Sequence, residues 1–144
     1  MALAKVLARD WTLEVEGTTT GTFVPVGGIN TFGFGGTKND TDTGDFDSGG
    51  FAEHLVTERA YTLTLSGFFL EDQDTGERDP GQAIVDELAT KIGEEAIGNF
   101  KLTSPGGTVM TFKGSVEPGD IGGGENDATS WGATITVTGK VTRS

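Results

Sequence analysis

The chain has 144 residues, no cysteine, and a formal net charge of −12 from 22 acidic and 10 basic residues. This length predicts a single domain, residues 1–144, whose core needs no disulfide bonds. The composition excludes thiol chemistry and argues against stable binding to nucleic acid or anionic lipid, which requires a basic surface. No apolar run approaches the ~20 residues of a membrane span, and the apolar start is too short for a signal peptide, so we expect synthesis in the cytoplasm.

Alternation of apolar and polar residues predicts strands along most of the chain. Residues 11–17 alternate with one polar side. A short strand over residues 21–28 contains Pro25, which places it at a sheet edge or a bulge. Another strand follows over residues 29–36. The 24 glycines cluster between such segments and therefore indicate turns and mobile loops.

Residues 36–58 are polar, rich in glycine and aspartate, and show no clear period. They predict a long loop, and a loop of more than about 20 residues is uncommon in a compact domain unless it has a function. The strand at residues 60–70 follows, with Tyr61, Leu63 and Leu65 on its apolar side.

A helix is predicted over residues 80–92. Asp79 is its expected N-cap, Pro80 occupies the first helical position, and Gln82 has the spacing of a capping box. Gly93 is the expected C-terminal stop. The apolar stripe of this helix consists of Ile84, Val85, Leu88 and Ile92.

Residues 100–104 and 108–117 predict a hairpin, and residues 131–142 alternate strictly and predict a last strand. The expected fold class is therefore mainly β: two packed antiparallel sheets, as a β-sandwich or barrel-like pair, with one flanking α-helix and a long Gly/Asp-rich loop.

The stretch "DFDSGGFAEH" resembles a serine-protease nucleophile loop, but the rest of a triad is missing. A triad needs a base within reach of the serine and a buried acid that orients it. His54, the only histidine, follows Ser48, and no histidine precedes it. We therefore predict no catalytic residues and no enzyme activity. A small hydrolase is a minor alternative that Ser48→Ala would test.

Metal and cofactor sites are not predicted either. The EF-hand spacing fails from Asp40 and from Asp45, and it fails again in residues 71–79. One histidine without cysteine leaves too few zinc ligands, and the glycines at 122–124 lack the ending of a phosphate loop. Adventitious binding of calcium to the acidic segments is the alternative that the residues leave open. Trp11 and Trp131 are expected to be core or interface anchors rather than sugar platforms.

Several segments together resemble bacteriophage major tail tube proteins, especially those of long non-contractile tails. The resemblance spans nearly the whole chain in the same order, and it rests on the segments taken together. The segments are "DFDSGGFAEHLV", "YTLTLSGFF", "EDQDTGERDPGQAIVDELATKIG", "FKLTSPGGTVMTFKGSV" and "NDATSWGATITVTGKV".

This resemblance implies a virion protein that is assembled in the host cytoplasm and placed in the tail. Copies would form six-fold rings that stack into a tube, with DNA passing through the lumen during ejection and no membrane contact. Other implied partners are the tape measure, tail tip and tail terminator proteins. A contractile tail is not excluded. The alternative function is a secreted ligand- or calcium-binding β-sandwich module.

Two sets of site residues follow as hypotheses. Short uncharged side chains are expected to face the lumen, where an acidic or neutral wall would repel phosphates: Thr62, Thr64, Ser66, Thr134, Thr136 and Thr138. The loop at 36–58 is expected to reach a neighbouring ring. Its proposed stacking residues are Asp40, Asp42, Asp45, Phe46, Asp47, Gly49, Gly50 and Phe51.

Overall fold

The computed structural model describes residues 3–144, so the first two positions of the predicted domain lie outside it. The described chain contains one α-helix, α1 (Pro80–Leu88), and seven strands. No helix in this range is long and apolar enough to cross a membrane. The strands are β1 (Thr12–Glu16), β2 (Phe23–Pro25), β3 (Ile29–Asp42), β4 (His54–Phe68), β5 (Ile97–Thr103), β6 (Val109–Pro118) and β7 (Ser130–Arg143).

The strands form one antiparallel sheet in the order β2-β1-β5-β6-β7-β4-β3. The prediction of a mainly β protein with one flanking helix is confirmed. The two predicted layers are two halves of this one sheet, which curls back on itself. Trp11, just before β1, contacts Phe32 of β3 at a ring-centroid distance of 5.7 Å, although four strands separate β1 from β3 in the sheet.

The core lies on the inner face of the curled sheet because, outside residues 37–60, buried and exposed residues alternate along the long strands. Leu63 and Leu65 of β4 are buried, as is Ile135 of β7, while their sequence neighbours face outward. Phe112 of β6 has its ring centroid 5.3 Å from that of Phe34, which comes from the far end of the sheet. Each such buried side chain contributes about 1.5–3 kcal/mol relative to exposure.

The start of α1 is fixed as the sequence predicts, but Gln82 has a different role. The Asp79 carboxylate caps the helix by accepting from the Gln82 backbone N at 3.1 Å. The Gln82 side chain is fully buried and does not complete a capping box. It donates to the carbonyls of Gly27 and Phe68 at 2.8 Å each and accepts from the backbone N of Leu70 at 3.1 Å. Gln82 therefore joins the helix to the β2–β3 connection and to the segment that leaves the end of β4.

The end of α1 differs from the prediction of 80–92. The helix ends at Leu88, and Ile92, assigned to its apolar stripe, is 90% exposed. The Thr90 hydroxyl donates to the Glu87 carbonyl at 2.7 Å. A hydroxyl that binds the backbone in this way competes with helical hydrogen bonds, so the helix stops before Gly93.

The long loop predicted at 36–58 is wrong over most of its length. Cross-strand pairing between β3 and β4 continues outward to Asp42 and His54, and residues 43–53 alone connect the strands. The prediction from residue alternation failed here because neither face of this part of the hairpin is buried. Without a buried face, nothing requires apolar residues at every second position.

Candidate functional site: a projecting arm and a threonine-lined face

The hairpin at residues 37–60 projects from the sheet, and we call it the arm. β4 pairs with β7 over Thr62–Phe68 and diverges from it before that point, so within the described chain the arm strands pair with each other alone. All arm residues are exposed except Thr43 and Ser48, which are half-buried. At about 3.4 Å per residue, its paired part from Thr37 to Asp42 extends about 20 Å.

Cross-strand side chains hold the arm strands together. The Asn39 amide donates to the Glu58 carboxylate at 2.6 Å, and the Thr57 hydroxyl donates to the Asn39 carbonyl at 3.0 Å. The Lys38–Asp40 ion pair, at 3.4 Å, lies within β3 and does not link the two strands. A two-stranded hairpin of this kind is marginally stable in water by itself, so the arm is the least supported part of the fold.

The arm tip is an ordered turn, and Ser48 is part of it. Residues Phe46–Ser48 form a short 3-10 turn that Asp45 caps by accepting from the Asp47 backbone N at 2.9 Å. The Ser48 hydroxyl accepts from the Asp45 backbone N at 3.0 Å and donates to the Asp45 carboxylate at 3.4 Å. Ser48 is therefore a turn residue, held by hydrogen bonds within the tip.

Gly49 and Gly50 end this turn with φ of +64° and +88°. L-residues with a side chain rarely adopt this left-handed region, so glycine is needed here for a defined geometry. The two glycines therefore shape the tip rather than merely loosening it.

Two phenylalanines stand out at the tip. Phe46 is 107% exposed and Phe51 is 80% exposed. They are surrounded by acidic residues, since the arm carries six acids against two bases, a net charge of −4. No group of three potential metal ligands converges in residues 3–144, which includes the aspartates of the arm. Exposed aromatic rings on a projecting element are typical of a protein-binding surface.

The structure brings all six residues predicted to line a lumen onto one surface, which we call the threonine face. Thr62 lies opposite Thr136, and Thr64 lies opposite Thr134, on the outer side of β4 and β7. Ser66 and Thr138 continue the same side along each strand.

The threonine face is close to neutral. Its charged neighbours on β6 are Glu117, opposite Thr134, and Lys113, opposite Thr138. The acidic residues lie mostly elsewhere: in the arm, in residues 71–79 with five acids against one base, and in residues 118–127 with three acids. The net charge of −12 therefore surrounds this face rather than covering it.

Sequence reasoning missed the long free edge of β3. This strand has 14 residues and ends the sheet, with β4 as its strand partner on one side. Gly33 and Gly35 alternate along it with the inward rings of Phe32 and Phe34, and a Cβ at either glycine would meet open space. An exposed edge of this length is usually protected against pairing with other chains. The alternation of glycine and phenylalanine was the signal for it.

The two tryptophans belong to the body of the protein. Trp131 is 2% exposed, and its indole N–H donates to the Asp86 carboxylate at 3.0 Å. The same carboxylate accepts from the Arg78 guanidinium at 2.6 Å. Trp11 is half-buried beside the core. These contacts fit the expectation of core anchors.

Comparison with known proteins gives matches in structure. No protein-family model and no curated protein matches the chain. A chain from the tail of an empty gene transfer agent (GTA) particle, obtained by helical refinement with C6 symmetry, matches with a TM-score of 0.75 and 18% identity, over 97% of this chain and 99% of that one.

Two other solved structures show the same likeness. A chain from the virion of a native GTA particle matches with a TM-score of 0.68 and 18% identity, over 97% and 99% of the two chains. A chain of the anti-feeding prophage (AFP) baseplate, solved by cryo-EM with six-fold symmetrisation, matches with a TM-score of 0.60 and 13% identity, over 99% and 97%. The protein therefore has the fold of chains found in GTA tails and in the AFP baseplate.

Proposed function

We propose that this protein is the structural subunit of a phage-type tail tube and has no catalytic role. Copies form six-fold rings that stack into a hollow tube in the tail of a virion. The observation that carries the proposal is the end-to-end fold match, with a TM-score of 0.75, to a chain from a GTA tail obtained with C6 symmetry. The free sheet edge and the projecting arm support it, because both are surfaces that other copies can complete.

Ring formation uses the free edge of β3. The backbone N–H and C=O groups of β3 that do not pair with β4 point away from it and offer a template for a strand from a neighbouring copy. β7 likewise lacks a β4 partner beyond Thr136. When identical subunits pair around a closed ring, every such edge is covered, and the aggregation risk of an open edge disappears.

Ring stacking uses the arm. It extends beyond the sheet and carries the eight residues predicted for this contact, including Phe46 and Phe51. The aspartates keep the exposed tip soluble before assembly. The two phenylalanine side chains provide apolar surface to bury against the next ring of subunits.

The channel wall in this proposal is the threonine face. Its short hydroxyl side chains give a passing DNA molecule few cationic partners, namely Lys113 and Lys140 beside Thr138. Each phosphate contact with Lys or Arg releases counterions and adds affinity, and many stacked rings would multiply such contacts. The acidic arm and connections add a negative potential around this wall, so DNA is in transit and does not bind.

At its ends, the tube meets other tail proteins. We propose the tape measure protein inside the tube, the tail tip protein at one end and the tail terminator at the other. The tail tip and terminator contacts would use the stacking surfaces, since an end ring exposes whichever surface the next ring would cover, whereas the tape measure protein would contact the channel wall.

Electron microscopy tests the proposal. The purified protein, concentrated and imaged in negative stain, is expected to form hollow tubes or rings, and class averages of end views are expected to show six-fold symmetry. Addition of tail tips from a related particle serves as a nucleus if assembly is slow. A protein that stays monomeric at high concentration and with such a nucleus would contradict the proposed function.

A further inference from the structure

A cleft of about 520 Å³ opens between the N-terminal segment and one end of the curled sheet. Its floor consists of Leu13, Leu65 and Leu102, which are almost fully buried. Its walls include Trp11 and Phe32, whose rings are tilted at 51° to each other. The volume fits an apolar side chain or small ligand, and the aromatic walls favour a third ring in tilted contact. Thr12, Asn30 and Arg9 supply polar atoms to the same lining.

One cationic side chain lies at this cleft. Arg9 lines it, is exposed, and has no ion-pair partner among residues 3–144. The cleft thus combines an apolar interior with a single free positive charge at its rim. A matching occupant would carry an apolar ring next to an acidic residue.

The arm tip has this combination. Phe46 stands fully exposed between Asp45 and Asp47. The capped 3-10 turn defines the backbone conformation from which the ring projects. Such preorganisation lowers the entropy cost of binding.

The cleft and the arm tip lie at opposite ends of the same strand. Phe32 near the start of β3 lines the cleft, whereas Asp42 at its end borders the tip. Ten residues of extended strand separate them by about 34 Å. The tip of one molecule therefore does not reach its own cleft. A cavity at one end and a projection at the other form a head-to-tail pair, which repeats as an open stack.

We propose that the arm tip of one copy enters the cleft of a copy in the next ring. The Phe46 ring occupies the apolar interior beside Trp11 and Phe32, and the Asp47 carboxylate pairs with Arg9. Phe51 packs outside, at the rim. This inference rests on the proposed function and adds to it the receiving surface, the direction of stacking and the residues that join two rings.

Disulfide cross-linking tests the contact directly, because the chain has no cysteine of its own. Phe46→Cys and Ala8→Cys are made as separate proteins, since Ala8 lines the cleft and is exposed. The two are mixed with an excess of wild-type protein, assembled and mildly oxidised. A disulfide between positions 46 and 8 can then form between copies alone. We expect a dimer band in sedimented tubes, at least tenfold stronger than in the matched control mixture of Ala8→Cys with Thr75→Cys.

Charge reversal provides the second readout. Arg9→Glu is expected to reduce tube yield at least tenfold, and Asp47→Arg is expected to do the same. The double variant is expected to recover most of the yield, since the pair is restored with opposite sign.

The outcomes separate the inference from the proposed function. Tubes without the 46–8 cross-link would overturn the inference and leave the tube proposal intact. The same holds if Ala8→Cys forms a stronger cross-link with Leu3→Cys than with Phe46→Cys. Failure of the double variant to recover while both single variants fold would also overturn it. An absence of tubes from wild-type protein would instead remove the proposed function.

Discussion

The β3–β4 hairpin runs through both the body of this protein and its arm, but the two parts are stabilised differently. In the body, β3 and β4 bury alternate side chains such as Phe34 and Leu63, and a buried Gln82 joins the helix to the sheet. In the arm, the same two strands have no third layer and expose both faces. The core of the body is thus complete within one chain, whereas the arm has no core of its own and offers both faces to a partner. We infer that a second copy supplies what the arm lacks.

The largest expected effect comes from removal of the arm tip. Deletion of residues 44–51 should abolish tube formation and leave the body folded, because no core residue lies in this segment. Tubes are scored by negative stain, and folding is scored by far-ultraviolet circular dichroism and thermal melting. Deletion variants that still assemble would show that the arm is dispensable for stacking.

The converse change disrupts the body. Gln82→Leu leaves two carbonyls and one backbone N–H without their partner inside the protein. Each unsatisfied group costs about 1–3 kcal/mol, so we expect the free energy of unfolding to fall by about 3 kcal/mol or more. Urea denaturation measures it. The control Glu94→Gln, on an exposed position, should change it by less than about 0.5 kcal/mol. A small loss in Gln82→Leu would mean that the helix connection contributes little.

A smaller effect is expected at the threonine face. Thr64→Lys adds one cation per subunit to the proposed wall, and we expect DNA ejection from assembled particles to slow at least about tenfold. Tube formation should be normal, since Thr64 is exposed. Thr75→Lys, in the connection between β4 and α1, is the matched control with the same charge change. Equal ejection rates for the two variants would place the threonine face outside the channel.

The smallest expected effect concerns the shape of the tip. Gly49→Ala places a side chain at a φ of +64°, which costs about 1–2 kcal/mol locally. Because the strain is confined to the tip, the melting temperature should not change measurably, while tube yield should fall several-fold. Gly106→Ala is the control, since its Cβ would meet open space and its φ is not left-handed. Identical yields would show that tip geometry is unimportant.

The difference between body and arm also explains what the sequence could predict. The sequence predicts the strands at 60–70 and 131–142 because one face of each is buried. It predicts the start of α1 because the capping residue Asp79 marks where the helix begins. Ile92 had helical spacing and was still misassigned, since the Thr90 hydroxyl ends the helix earlier. The paired arm strands were missed because two solvated faces impose no alternation.

Long-range features had no local signal. The single curled sheet depends on which strand lies beside which, and residue alternation is the same in one sheet or two. The cleft takes residues from β1, β3, β4 and β5, from Leu13 to Leu102, so no stretch of sequence reveals it. By contrast, the six residues of the threonine face were predicted as a set, because period-two alternation places them on one side of each strand.

Hydrogen exchange measured by mass spectrometry, on the free protein and on assembled tubes, tests the central claim most directly. We expect the amides of β7 and of β4 beyond Thr62 to be protected in both states. The arm amides, residues 37–60, should exchange rapidly in the monomer and at least about tenfold more slowly in the tube, because a second copy then covers them. An arm that exchanges at the same rate before and after assembly would contradict the account.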